Sequence, residues 1–177
     1  MTEQEVLLSF ELLMKQYVEE LDGVSFEQLL RKPSEDEWSL GQMYLHLIQT
    51  SMNSQLRKAE LCLQATEVSV GAGEKTEAGR EAFEQGGFPP VRIHVPPSPG
   101  FTPLQPESKE QLVQGMQAVL QRMTDIAPRI ALSGPEHTEA HPRFGQLNAG
   151  EWFRLVEMHY RHHLMQKDRL QKFLVSG

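Results

Sequence analysis

The chain has one cysteine, Cys62, so no intrachain disulfide can form and the fold must rest on packing. That usage fits a reducing compartment. No apolar run approaches the ~20 residues of a membrane-spanning helix. Positive charge is scarce: 17 Lys and Arg against 24 Asp and Glu leave a formal net charge of −7, and no segment offers the basic face that nucleic acid requires. The first residues, Met1-Thr2-Glu3-Gln4-Glu5, are acidic where a secretory leader is basic, which predicts a cytoplasmic protein. Internal repeats and alternating strand patterns are missing too. What remains is an ordinary globular composition, 39% hydrophobic over 177 residues, enough for one domain over 1–177 with a sizeable core.

Amphipathic periodicity predicts four long helices. Thr2 and Glu5 form a capping-box pattern ahead of Val6, Phe10, Leu13, Met14, Tyr17 and Leu21, with Gly23 as the stop. A short helical turn at 25–31 and a polar connection at 33–37 follow. Ser39 and Gln42 open the second helix, which runs to about Ala65, with Trp38 and Met43 as a hydrophobic staple. The third spans 106–130, and Pro128 should kink it or end it near Ala127. Residues 133–147 read as a loop. The fourth helix spans 148–174, capped by Asn148 and Glu151.

Between the second and third helices, 67–105 breaks every period with six glycines and six prolines. The expected fold is therefore all-α, a four-helix bundle with a long crossover between helices 2 and 3. Phe88, Val91, Ile93, Val95 and Phe101 are too apolar for a free linker. The crossover should pack them on the bundle and line part of a pocket mouth, with a short helical piece at 79–85.

The fourth helix carries the chemistry. Trp152, Leu155, Val156, Leu170, Phe173 and Leu174 form its apolar stripe, His159 and His163 fall in the middle of it, and His162 lies on its edge. A polar group in a core costs roughly 1–3 kcal/mol unless it is satisfied there. Two imidazoles at i and i+4 suit a metal ion. On the second helix His46 shares a face with Gln42, Met43, Gln49, Thr50, Asn53 and Arg57, opposite Leu40, Tyr44, Leu47 and Ile48. A polar strip inside a bundle reads as a pocket wall. His46, His159 and His163 are thus expected to hold one divalent metal. Three imidazoles suit zinc, nickel, iron or cobalt, with manganese admissible, and leave coordination positions open.

Gln49, Asn53, Arg57 and Gln166 are candidates for binding substrate polar groups, and Gln166 equally for a hydrogen-bond network behind a ligand. His162 reads either as a proton carrier beside the metal or as an edge residue packed on another helix. His137 and His141 also stand four apart, but in a loop bounded by Pro and Gly, so no second metal site is expected there. His94 could fold over the pocket, and Cys62 should be a buried, inert thiol. The apolar side of the second helix needs cover from the crossover or from a second subunit, which suggests a homodimer.

Two segments resemble the DinB-like superfamily, in particular its YfiT-like members. One runs from Trp38-Ser39-Leu40-Gly41-Gln42 through His46-Leu47 to Ser51-Met52-Asn53-Ser54. The other runs from Phe144-Gly145-Gln146-Leu147 through Trp152 to His159-Tyr160-Arg161-His162-His163. The resemblance implies a four-helix bundle holding zinc or nickel on His46, His159 and His163. It also implies thiol S-transfer with bacillithiol, mycothiol or glutathione, or metal-dependent hydrolysis. YfiT-like members carry an acidic residue three positions after the helix-two histidine and a further histidine five after. Gln49 and Ser51 stand there instead, which puts that catalytic apparatus in question and leaves the metal ligands in place. The leading expectation is a metal-dependent transferase in which the metal activates a low-molecular-weight thiol for attack on an electrophile. The alternatives are a hydrolase using metal-bound water and a non-catalytic, stress-related metal-binding bundle.

Overall fold

The computed structural model of the protein describes residues 1–65, 74–91 and 100–176. Side-chain caps set the helix starts. Helix α1 (Glu3–Asp22), α2 (Phe26–Leu30) and α3 (Leu40–Thr50) each open with a capping box, formed by Thr2 with Glu5, Ser25 with Gln28, and Ser39 with Gln42. Helix α3 runs on through a π-helical segment, Ser51–Gln55, into α4 (Leu56–Gln64). Thr76 caps α5 (Glu77–Gln85), close to the piece expected at 79–85. Helix α6 (Lys109–Ile130) starts after Ser108 rather than at Pro106 and carries Pro128 within its last turn instead of ending near Ala127. There Pro128 can disturb only the last turn of the ladder.

Residues 133–147 are not simply a loop. Strands β1 (Thr138–His141) and β2 (Gly145–Asn148) pair antiparallel, from Thr138 opposite Asn148 to His141 opposite Gly145. The turn is Pro142-Arg143-Phe144, and Gly145 supplies the positive φ of 78° that ends it. Residues 74–76 run alongside: the Thr76 amide donates to the Phe144 carbonyl and the Gln146 amide to that of Glu74. The last helix, α7 (Ala149–Ser176), follows directly. Asn148 and Glu151 exchange the two bonds of its capping box, as their spacing predicts.

Four long rods make the bundle: α1, α3 continued into α4, α6 and α7. Helix α1 packs on α6 and α7, and so does the α3–α4 rod. Phe10, Tyr17, Tyr44 and Tyr160 meet edge to face at the centre, with ring centroids 5.0–5.5 Å apart. The Tyr17 hydroxyl donates to the Tyr160 carbonyl at 2.7 Å and the Tyr44 hydroxyl to the Tyr17 carbonyl at 2.8 Å, tying three rods together. The all-α bundle with a crossover between its second and third rods is therefore present, with short helices and a hairpin added.

The apolar side of α3 is covered from within the chain. Leu40, Tyr44, Leu47 and Ile48 are all buried, Tyr44 against Tyr17 of α1 and Ile48 against Gly115 of α6. The observation that suggested a second subunit has this cause instead. Helix α7 is buried on two sides, not along one stripe: Phe153, Glu157, Met158, Tyr160 and Lys167 are buried as well. Glu157 is held by Arg161 at 2.8 and 3.0 Å and by Ser9 at 2.9 Å, and Lys167 pairs with Glu20. Of the crossover's apolar residues, Phe88 packs on the core, while Phe101 is exposed. Ile93, His94 and Val95 lie outside the described residues. Among the described residues no helix is long and apolar enough to cross a membrane.

Candidate metal centre

His46 lies two turns into α3, and His159 and His163 lie one turn apart on α7. Their Nε2 atoms converge. The Nε2 of His159 is 3.2 Å from that of His46 and 3.1 Å from that of His163, and all three offer ligand atoms within 4.8 Å of one another. Ligand nitrogens about 2.0–2.1 Å from zinc stand about 2.9 Å apart at a right angle and about 3.3 Å apart at the tetrahedral angle. The observed spacings fall between these limits, so the three histidines are positioned to hold a metal ion.

Second contacts fix the tautomers. The His163 Nδ1 lies 2.7 Å from the Gln166 Oε1, an acceptor only, so Nδ1 carries the proton and the Nε2 lone pair faces the site. The His46 Nδ1 lies 3.5 Å from the Thr50 hydroxyl, a longer contact in the same sense. Two lone pairs thus point at the nitrogen of a third ring, an arrangement that a cation relieves. The buried His159 Nδ1 has no partner.

Burial pushes His46 to about 4 and His163 to about 3, and burial with the neighbouring histidines holds His159 well below its ordinary value. All three are neutral at pH 7, as ligands must be. The unfolded chain takes up its histidine protons near 6.5, so between 6.5 and about 4 it binds more protons than the folded chain. The stability these rings contribute is complete above 6.5 and is lost as pH falls below it. Metal-free protein should melt at a lower temperature at pH 5 than at pH 7.5. Equal melting temperatures across that range would contradict this assignment of neutral rings.

The histidines line a cavity of about 560 Å³. Its walls are largely apolar, with Trp38, Phe88, Phe144, Leu155 and Met165 among them, and the Trp38 ring stands 4.9 Å from that of His46. The 88–91 stretch of the crossover lines it as well. Glu37 and Arg169 pair at its edge. His162 lines it too, edge-on to Phe88 at 5.4 Å, and its pKa is lowered by burial and then by the Arg143 charge. Gln166 lines it while orienting His163.

Gln49, Asn53 and Arg57 are exposed and do not line this cavity. The π segment explains this for Asn53 and Arg57. It takes up one residue more than an α ladder, so everything beyond is turned by about 100°. Gln55, on the far side of an uninterrupted helix, is brought instead to the cavity wall, where its side chain is buried. Gln49 lies before that segment, and its exposure is a matter of where the neighbouring rods stop.

The hairpin adds residues that helical periodicity missed. His141, Arg143 and Phe144 all line the cavity. The His141 ring stacks on Phe144 at 4.4 Å, and its Nδ1 accepts from the amides of Arg143 and Phe144, each at 3.1 Å. Burial, with the Arg143 charge, pushes it to about 4. The only sequence signal was a possible turn at Pro142 before Gly145, too short to register as a strand pair. Cys62 is buried and its thiol is pushed up to about 11 by burial, as inert as expected.

Comparison with known proteins agrees with this geometry. The chain is 24% identical over 153 residues to the uncharacterized protein YuaE of Bacillus subtilis, covering 86% of this chain and 89% of that one. The sequence model of the DinB superfamily matches residues 10–166, from the first turns of α1 past the last histidine of α7. This chain belongs to the DinB superfamily.

Proposed function

We propose that the protein is a divalent-metal-dependent S-transferase that joins a low-molecular-weight thiol to an electrophile. The observation that carries this reading is the convergence of three neutral imidazoles, Nε2 to Nε2 at 3.1 and 3.2 Å, on the wall of a mostly apolar cavity. His46, His159 and His163 would hold the ion, zinc or nickel on their donor chemistry. A divalent ion there supplies Lewis acidity that lowers the pKa of a thiol or a water beside it. Gln166 and Thr50 orient two of the rings. Trp38, Phe88 and Phe144 exclude water and offer contact to an apolar electrophile. His162, neutral and on the cavity wall beside His163, can accept the proton the thiol gives up.

The same His162 supports a second reading, hydrolysis, in which it takes a proton from water. The discriminating experiment incubates metal-loaded protein with glutathione, bacillithiol or mycothiol and a chloroalkyl electrophile, and follows the thioether by mass spectrometry. The expected result is adduct formation that needs both thiol and metal, at least about tenfold above the uncatalysed rate, and absent in His163→Ala. Product formed without thiol would assign hydrolysis. No turnover with any pair would leave a metal-binding bundle without catalysis.

A further inference from the structure

The cavity has a second polar corner, away from the ion's three ligands, on the β-hairpin. There the His141 Nδ1 is occupied by two backbone N–H donors, so its neutral ring carries the proton on Nε2, the nitrogen left to face the cavity. Two residues on, Arg143 lines the same cavity. Its guanidinium lies over the Phe144 ring, 5.8 Å from the centroid, and forms no ion pair among the described residues. The other cation on the cavity wall, Arg169, is already paired with Glu37. The hairpin therefore offers one uncompensated positive charge beside one fixed N–H donor, at the edge of an apolar space.

We propose that Arg143 and His141 form an anion subsite that holds a carboxylate of the molecule occupying the cavity. A guanidinium fork matches the two oxygens of a carboxylate, and a second donor beside it satisfies a remaining lone pair. One free cation matches a single negative charge. Trp38, Phe88 and Phe144 then take the apolar body of the same ligand. This deepens the transferase reading, since it names the acid group its thiol or its electrophile carries. The binding itself does not depend on catalysis.

The test uses zinc-loaded protein and a thiol-free probe pair, 3-phenylpropanoate and 3-phenylpropanamide, with affinities from calorimetry. Wild type should bind the acid about 10- to 100-fold more tightly than the amide. Arg143→Gln should erase that preference without weakening the amide, and Arg143→Lys should restore part of it. His141→Asn keeps an oxygen where Nδ1 accepts its two amide bonds and removes the Nε2–H donor, so it should cost acid binding about three- to tenfold and leave the melting temperature unchanged. An acid preference undiminished in Arg143→Gln would place the carboxylate elsewhere, on the ion for instance, and overturn the proposal. So would no preference in wild type, or equal loss of acid and amide.

A second arm finds which reactant carries the acid. In the thioether assay, a raised KM for the thiol in Arg143→Gln assigns it to the thiol, and a raised KM for an acidic electrophile assigns it to the electrophile. Absence of thioether formation would defeat the transferase reading alone and leave the calorimetric result standing.

Discussion

His159→Ala should remove stoichiometric metal. Its Nε2 is the shared neighbour of the other two, at 3.1 and 3.2 Å, so its loss leaves His46 and His163 as a two-nitrogen remnant. Wild-type protein exposed to zinc or nickel and then desalted should retain about one equivalent by elemental analysis, and His159→Ala less than about a tenth of that. Wild type should also gain stability on metal addition, about 2.7 kcal/mol at a hundredfold excess over Kd, and the variant none. Gln166→Ala should fall between. It leaves all three ligands but frees the His163 ring from the acceptor that fixes its tautomer, which costs about 10- to 100-fold in affinity. Gln49→Ala, exposed and outside the cavity, should retain its metal. Full metal content in His159→Ala would refute the centre.

Gly145→Ala should be the most damaging single-methyl change in the chain. With φ at 78°, an alanine there is strained, and its Cβ would lie 2.4 Å from the Glu74 carbonyl oxygen and 2.8 Å from the Thr76 nitrogen. Both are backbone atoms, so no side chain can give way. The expected cost is about 2–4 kcal/mol, a fall in melting temperature of about 5–15 °C. The damage should reach the cavity, because Gly145 ends the turn that presents His141 and Phe144. Binding of 3-phenylpropanoate should weaken while metal content, set by α3 and α7, is kept. Gly100→Ala meets nothing within 4 Å and serves as the control, with a change within about 0.5 kcal/mol. Unaltered stability in Gly145→Ala would mean that the hairpin does not rest on residues 74–76.

The sequence by itself determined the features that depend on near neighbours. The caps at Thr2, Ser39 and Asn148 were legible because a side chain and an amide three residues apart meet in any helix that starts there. The i, i+4 pair His159 and His163 was legible because one turn of helix stacks them whatever surrounds it. The third ligand, His46, was found because a histidine on a polar strip inside a bundle needs a partner.

Only the tertiary structure decided the rest. The second buried face of α7 exists because that helix lies between α1 and α4, which no periodicity on α7 encodes. The π segment at 51–55 displaced Asn53 and Arg57 from the cavity and brought in Gln55, since one extra residue rotates all that follows while leaving the hydrophobic pattern almost unchanged. His141 and Arg143 reach the site through a hairpin of four-residue strands held by backbone bonds to 74–76, contacts from distant parts of the chain that close only when the bundle has formed.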